Sequence, residues 1–256
     1  MRVLKLTIAY DGTAYVGWQR QANGISIQQL IEEAFLPLSA RPDGSPPTVV
    51  GAGRTDAGVH ALGQVASVKV ESQVPVDAIQ RALNIRLPAD IRVLGVVDEH
   101  DGFHARYDAS GKSYRYRIVT TPVMSPFERL WAWHAPGRYD IDAMVVAARA
   151  FEGRHDFASL QTGGSPVSDT IRTMTSVRVA ALDGVIVVDV AGDGFLRHMV
   201  RAMVGTLVEI GSGRRTAASV TEMLDGADRG LAGPTVPAQG LTLMDVRYSS
   251  ASNRPM

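Results

Sequence analysis

The N-terminal part of the chain switches repeatedly between two hydrophobic periodicities, and this order limits the possible folds more than any other feature. Residues 3–10 alternate between apolar and polar side chains, which is typical of a half-buried strand. Ser26 and Gln29 form a capping box, and apolar residues follow it at helical spacing. Further strands are predicted at 48–50, 66–70 and 91–98, with a second helix at 76–87. The order strand, helix, strand, strand, helix, strand predicts a ferredoxin-like α+β unit with an antiparallel sheet.

The remainder of the chain repeats this style of organisation. Strands are predicted at 114–118, 171–181, 185–190 and 241–248, and helices at 140–151, 195–210 and 217–224. The predicted fold class is therefore α+β, with two ferredoxin-like units. The boundary is expected near 102–110, which gives an N-terminal domain over 1–105 and a C-terminal domain over 106–256.

Composition restricts the class of protein. The 256 residues include no cysteine, which excludes disulfides, thiolate nucleophiles and cysteine-based zinc sites. No apolar run reaches membrane-spanning length and the N-terminus has no signal-peptide core, so we expect a cytoplasmic protein. The six histidines form no two-histidine helical motif, so no metal site is predicted.

The overall charge is balanced, with 26 basic and 26 acidic residues, which argues against an indiscriminate polyanion binder. This balance does not exclude nucleic acid as a partner, because local clustering of cations decides such binding. Two basic clusters are present: Arg106, Lys112, Arg115 and Arg117 form one, and Arg197, His198, Arg201, Arg214 and Arg215 form the other. Each cluster is compatible with an RNA interface or with an ordinary solvated surface.

A glycine-rich segment at 51–61 places one carboxylate, Asp56, in a predicted tight turn two residues after Arg54. Glycine allows backbone angles and close approaches that a side chain blocks. The segment is not a dinucleotide-binding loop, because Asp56 stands where the third glycine is needed, and it lacks the lysine of a phosphate loop. Two interpretations stay open: Asp56 is a catalytic group, or it caps a helix or backbone amides. His60 and Gln64 lie close by in sequence and either orient the turn or are purely structural.

Two further segments combine aromatic rings with cations. The loop at 11–20 ends in Trp18, Gln19 and Arg20, which either stack on bases and contact phosphates or form an ordinary connection around a partly buried tryptophan. Residues 114–117 place two tyrosines on one face of a strand and two arginines on the other. This strand is either a core strand or a platform on which one ring stacks on an RNA base.

Five blocks follow one another along the chain: YDGTAYVGWQRQ from Tyr10, GAGRTDAGVHALGQV from Gly51, FHARYDASGKSYRYR from Phe103, GFLRHMVRAMVGTLVEIG from Gly194 and QGL from Gln239. In content and order they resemble the bacterial tRNA pseudouridine synthase A family over nearly the whole chain. The resemblance implies two α/β domains whose antiparallel sheets flank a central, positively charged active-site cleft. It also implies a homodimer that binds tRNA and isomerises uridine to pseudouridine at positions 38, 39 and 40 of the anticodon stem-loop. No cofactor and no metal are expected.

The same resemblance implies roles for single residues. Asp56 matches the catalytic aspartate, and Arg201 matches the arginine that pairs with that carboxylate. Arg54 matches the arginine that assists displacement of the target base, and Tyr114 matches the tyrosine that stacks on the target uracil. The further candidate RNA contacts are Arg20, Arg106, Lys112 and Arg115.

General chemistry agrees with these roles. An ionised aspartate can attack the substrate or assist the departure of uracil, and an arginine partner favours the ionised form. A glycoside-cleaving enzyme usually needs two facing carboxylates, and a metal-dependent nuclease needs an acidic cluster. The main alternative is a non-catalytic RNA-binding protein built of two ferredoxin-like domains.

Overall fold

The computed structural model describes residues 1–38, 44–161 and 169–249. The strands are β1 (Arg2–Tyr10), β2 (Val49–Gly51), β3 (His60–Val70), β4 (Ile91–Glu99), β5 (Ala109–Val119), β6 (Trp133–His134), β7 (Gly153–Asp156), β8 (Ile171–Leu182), β9 (Val185–Gly192) and β10 (Leu241–Tyr248). The helices are α1 (Ile27–Phe35), α2 (Val76–Arg86), α3 (Ile141–Arg149), α4 (Met199–Gly211) and α5 (Ser219–Gly226). This mixed content confirms the α+β prediction, and the predicted order of the N-terminal part matches β1, α1, β2, β3, α2 and β4. Within the described ranges, no helix is long and apolar enough to span a membrane.

The chain forms two compact units. The first contains Met1–Ser110 together with the segment from Leu243, and the second contains Gly111–Thr242. The sequence-based division at 105/106 differs from this, because it assigns the last strand to the C-terminal domain. In the structure, β10 follows β3 in strand order, and the Tyr248 hydroxyl donates to the Ala105 carbonyl at 2.7 Å. A return over such a sequence distance leaves no trace in local periodicity.

The sheet of the first unit is antiparallel, and β3 lies between β1 and β2. Leu4 of β1 and Val49 of β2 are both register partners of Val68. On its other side β1 pairs with β4, so the order is β4, β1, β3, and both β2 and β10 are neighbours of β3. Eight apolar residues of β1, α1 and α2 are completely buried and belong to the core: Leu4, Leu6, Ile8, Ile27, Ile31, Phe35, Ile79 and Leu83.

The sheet of the second unit has the antiparallel order β5, β9, β8, β7, and β6 lies parallel to β5. Helix α4 is its most buried helix, and all of its residues except Arg201 and Glu209 are buried. The predicted start of this helix at 195 is wrong by four residues. His198 adopts a left-handed backbone with φ of 64°, so regular helix begins at Met199.

Candidate functional site

The carboxylate Asp56 lies in the connection between β2 and β3 of the first unit. The Val59 amide donates to the Asp56 carbonyl at 3.1 Å and closes a tight turn at the end of this connection. We call the whole connection, residues 52–59, the Asp56 turn. A strand beginning at His60 follows this turn, so the interpretation of Asp56 as a helix cap is wrong. The Asp56 side chain is half-buried and Arg54 is exposed.

Side chains from the neighbouring strands form hydrogen bonds with this turn. The Tyr10 hydroxyl lies 2.8 Å from the Thr55 hydroxyl, and the Gln64 amide donates to the Gly53 carbonyl at 2.9 Å. Burial raises the pKa of Tyr10 to about 12, and its hydrogen bonds to Thr55 and Gln64 oppose this shift. The phenol is therefore neutral at physiological pH and can act as a hydrogen-bond donor. The sequence analysis singled out Gln64, and this residue contacts the turn directly. It did not identify Tyr10 and Thr55, which also contribute to the turn.

The loop at 11–20 packs directly against the Asp56 turn. The Trp18 amide donates to the Thr55 carbonyl at 3.1 Å. Gly17 has φ of +101°, and a Cβ atom at this position would lie 2.6 Å from the Thr55 carbonyl oxygen, so a side chain is excluded here. The Trp18 ring is only 2 % exposed and its centroid lies 6.2 Å from that of Tyr10. Trp18 is therefore a structural residue of the first unit, and the interpretation as a base-stacking residue is wrong.

Polar contacts around this loop also involve His60 and Arg20. His60 is buried, and its Nδ1 atom lies 3.1 Å from both the Gly12 amide and the Asp11 carboxylate. Arg20 pairs with Glu32 at 3.2 Å and with Glu33 at 3.4 Å on α1. Arg20 thus has a structural role in the first unit, and an RNA contact by this residue stays a prediction.

The alternating pattern of β5 in the second unit is as the sequence predicts. Tyr114 and Tyr116 are buried, and Arg115 between them is exposed. The Tyr114 ring meets Phe195 edge-on, with centroids 4.9 Å apart and an interplanar angle of 79°. Arg115 donates to both carboxylate oxygens of Asp189, at 2.8 and 3.0 Å, and this contact raises the pKa of its guanidinium.

Arg201 lies in the first turn of α4 and supports a neighbouring loop. Its Nε donates to the Val236 carbonyl at 2.7 Å, and the Val236 amide donates to the Arg201 carbonyl at 3.4 Å. The Tyr116 hydroxyl donates to the next carbonyl, that of Pro237, at 2.7 Å. Burial raises the pKa of Tyr116, and the charge of Arg201 opposes the shift. Arg201 and Tyr116 therefore secure the same loop of the second unit.

The sequence-predicted site residues are thus distributed over both units. Asp56 and Arg54 lie in the same turn of the first unit. Arg106 belongs to this unit as well; it is exposed, and its guanidinium lies 5.8 Å from the Tyr107 ring. Tyr114, Lys112 and Arg115 lie on β5 and Arg201 lies on α4, all in the second unit. Among the described residues, no group of three or more histidine, aspartate or glutamate side chains could hold a metal ion.

Comparison with known proteins gives a consistent result. The family model described as tRNA pseudouridine synthase matches residues 6–108 and 147–249. A protein of Syntrophotalea carbinolica named tRNA pseudouridine synthase A is 48% identical over 249 residues, which are 97% of each chain. Its counterpart in Pelobacter propionicus is 46% identical over 97% of this chain and 100% of its own length. The matched segments contain Asp56, Arg54 and Arg201, and Tyr114 lies between them.

Proposed function

This chain belongs to the tRNA pseudouridine synthase family, and from that premise we propose that it isomerises uridine to pseudouridine in tRNA. We place its target in the anticodon stem-loop, at positions 38, 39 and 40. The observation that carries the proposal is the Asp56 turn, which is bonded to Tyr10, Gln64 and Trp18 while the Asp56 residue is half-buried. A carboxylate on a fixed turn can be presented to a bulky substrate at short range.

The reaction requires no external oxidant or group donor. The N1–C1′ bond of the uridine breaks, the uracil turns, and a C5–C1′ bond forms. The proton on C5 is then lost and N1 gains one, so substrate and product are isomers. Asp56 acts as an ionised carboxylate, either by attack on the substrate or by assisting the departure of uracil.

The other proposed active-site residues assist this carboxylate or the base. Arg201 pairs with Asp56 and keeps it ionised, because a nearby cation favours the charged form. The target base must leave its stack, which costs a few kcal/mol, and stacking on the Tyr114 ring offsets part of that cost. Arg54 assists the displacement, because its guanidinium is exposed beside the turn. The proposed RNA contacts are Arg20, Arg106, Lys112 and Arg115.

We further propose that each unit is ferredoxin-like, that a positively charged cleft separates them, and that the enzyme works as a homodimer. The order β4, β1, β3, with β2 also paired to β3 and with two helices, supports the first of these points for the N-terminal unit. The mass of the protein in solution tests the dimer. A monomer that is fully active at assay concentration would contradict it.

The function is tested by incubating unmodified tRNA transcripts with the protein and mapping pseudouridine. We expect new pseudouridine in the anticodon arm, with unchanged activity in excess chelator. Asp56→Asn should abolish its formation while tRNA still binds. If wild-type protein binds tRNA but forms no pseudouridine, the chain is a non-catalytic RNA-binding protein.

A further inference from the structure

Arg54 is exposed, but one end of its guanidinium is fixed. Its Nε donates to the Gln19 side-chain oxygen at 3.1 Å. In the described part of the chain, no further protein partner is found for its two terminal amino groups. An arginine held at Nε presents its remaining donors in a defined direction, whereas an unattached one samples many rotamers. What holds Gln19 therefore decides where Arg54 points.

The orientation of the Gln19 amide follows from its neighbours. The Gln28 oxygen accepts from the backbone amide of Arg20 at 2.9 Å, and this amide can only donate. The Gln28 nitrogen donates to the Val49 carbonyl at 3.0 Å, which can only accept. With Gln28 fixed in this way, its oxygen also accepts from the Gln19 nitrogen at 2.7 Å. The Gln19 oxygen is left facing Arg54.

Helix α1 forms hydrogen bonds both with the loop that carries Gln19 and with strand β2. Gln28 and Glu32 lie one helical turn apart on α1 and are 7% and 5% exposed. Glu32 accepts from the Gln28 nitrogen at 3.0 Å and from the Val49 amide at 3.1 Å. Val49 begins β2, the strand that leads into the turn carrying Arg54. The same buried helix face therefore positions the loop that carries Gln19 and the strand that precedes Arg54.

We propose that Gln19 is a positioning residue, which transmits the rigidity of α1 through Gln28 to the guanidinium of Arg54. This inference rests on the proposed function, in which Arg54 assists displacement of the target base. In this arrangement Gln19 itself makes no contact with the reacting atoms. It limits the positions that Arg54 samples, so that the terminal amino groups meet the displaced nucleotide without reorganisation.

The first test is a double-mutant cycle measured by single-turnover pseudouridine formation on an unmodified tRNA transcript. Gln19→Ala should slow the reaction roughly tenfold with tRNA affinity nearly unchanged, since a small misplacement of a catalytic group suffices for such a loss. Added to Arg54→Ala, it should cause no further loss, because both changes remove the same interaction. Gln21→Ala is the matched control, because that amide donates to the Val16 carbonyl at 2.7 Å in an exposed contact.

Two further readouts separate positioning from folding and from the function itself. The Arg54 Nε–H signal in a nitrogen-15 spectrum should be resolved in wild type and Gln21→Ala and lost in Gln19→Ala, whether or not the protein is active. Gln19→Glu keeps an acceptor for Arg54 but opposes the Gln28 oxygen with a second acceptor, so it should also slow the reaction. Additive losses in the cycle, or an unchanged Nε–H signal in Gln19→Ala, would overturn the proposal. An inactive wild type with the expected spectra would instead refute the proposed function.

Discussion

The two units hold their candidate functional residues in opposite ways. In the first unit the surroundings hold the residue: side chains of Tyr10 and Gln64 and the backbone of Trp18 all bond to the turn that carries Asp56. In the second unit the functional residue itself stabilises a neighbouring loop, because the Arg201 guanidinium donates to the Val236 carbonyl. Arg201 stands on a regular helix, whose backbone hydrogen bonds are mostly internal.

Because of this difference, mutations in the two units should affect activity and stability in different ways. In the first unit, the scaffold can be altered while the reactive carboxylate stays in the chain. In the second unit, removal of Arg201 also removes a charged hydrogen bond from a buried carbonyl, and such bonds are stronger than neutral ones. Activity and stability should therefore be separable at Asp56 and coupled at Arg201.

The largest effect on stability is expected for Gly17→Ala. The new methyl group would lie 2.6 Å from the Thr55 carbonyl oxygen, on a backbone with φ of +101°. Strain and overpacking together should lower the free energy of unfolding by about 2–5 kcal/mol. Displacement of the turn should also slow pseudouridine formation by roughly a hundredfold. Urea unfolding and the tRNA assay measure the two effects.

A matched glycine separates the clash from the backbone strain. Gly213 has φ of +75°, and a Cβ atom added there would meet no other group within 4 Å, so Gly213→Ala adds strain alone. Its cost should be about 1 kcal/mol, with activity retained. Equal losses of stability in Gly17→Ala and Gly213→Ala would show that packing against the turn is unimportant.

The second largest effect is expected for Arg201→Met. This change keeps much of the side-chain length but leaves the buried Val236 carbonyl without its donor, which should cost about 1.5–3 kcal/mol. Activity should be lost as well. Arg178→Met, at an exposed position of β8, is the control and should stay within about 0.5 kcal/mol of wild type. An Arg201→Met protein of wild-type stability would contradict the coupling of structure and function in the second unit.

Sequence reasoning recovered the features that are encoded locally. The alternation at 114–117 predicts which side chains of β5 are buried, and the glycine-rich segment predicts a turn at Asp56. Contacts between distant segments were missed, because periodicity carries no information on partners. Tyr10 and Thr55 are 45 residues apart, and neither has a local pattern that predicts their hydrogen bond.

Short elements were missed for a different reason. Strands β6 and β7 contain two and four residues, too few for an alternating pattern to emerge. Trp18 shows the related problem of ambiguous composition, because a tryptophan beside an arginine is compatible with stacking on RNA or with burial. Only the tertiary packing of Gly17 and Trp18 against the turn decides for burial.

The smallest predicted effect is the change of stability with pH that is caused by the buried Tyr10 hydroxyl next to the Asp56 turn. Burial raises its pKa from 10.0 to about 12, so in the folded state the phenol stays neutral at a pH where the unfolded chain ionises. The unfolded state then binds fewer protons than the folded state, and stability falls as pH rises. The contribution is fully present below pH 10 and is lost progressively between about pH 10 and 12.

The corresponding experiment compares wild type with Tyr10→Phe in urea unfolding at pH 9 and pH 11. One pH unit above the unfolded pKa, wild type should have lost about 1.4 kcal/mol more than the variant, because phenylalanine has no proton to release. The raised pKa values of Tyr15, Tyr116 and Tyr248 act equally in both proteins and cancel in the difference. Equal losses in wild type and Tyr10→Phe would mean that Tyr10 ionises freely. In that case the Tyr10–Thr55 contact would not hold the Asp56 turn as tightly as its 2.8 Å distance indicates.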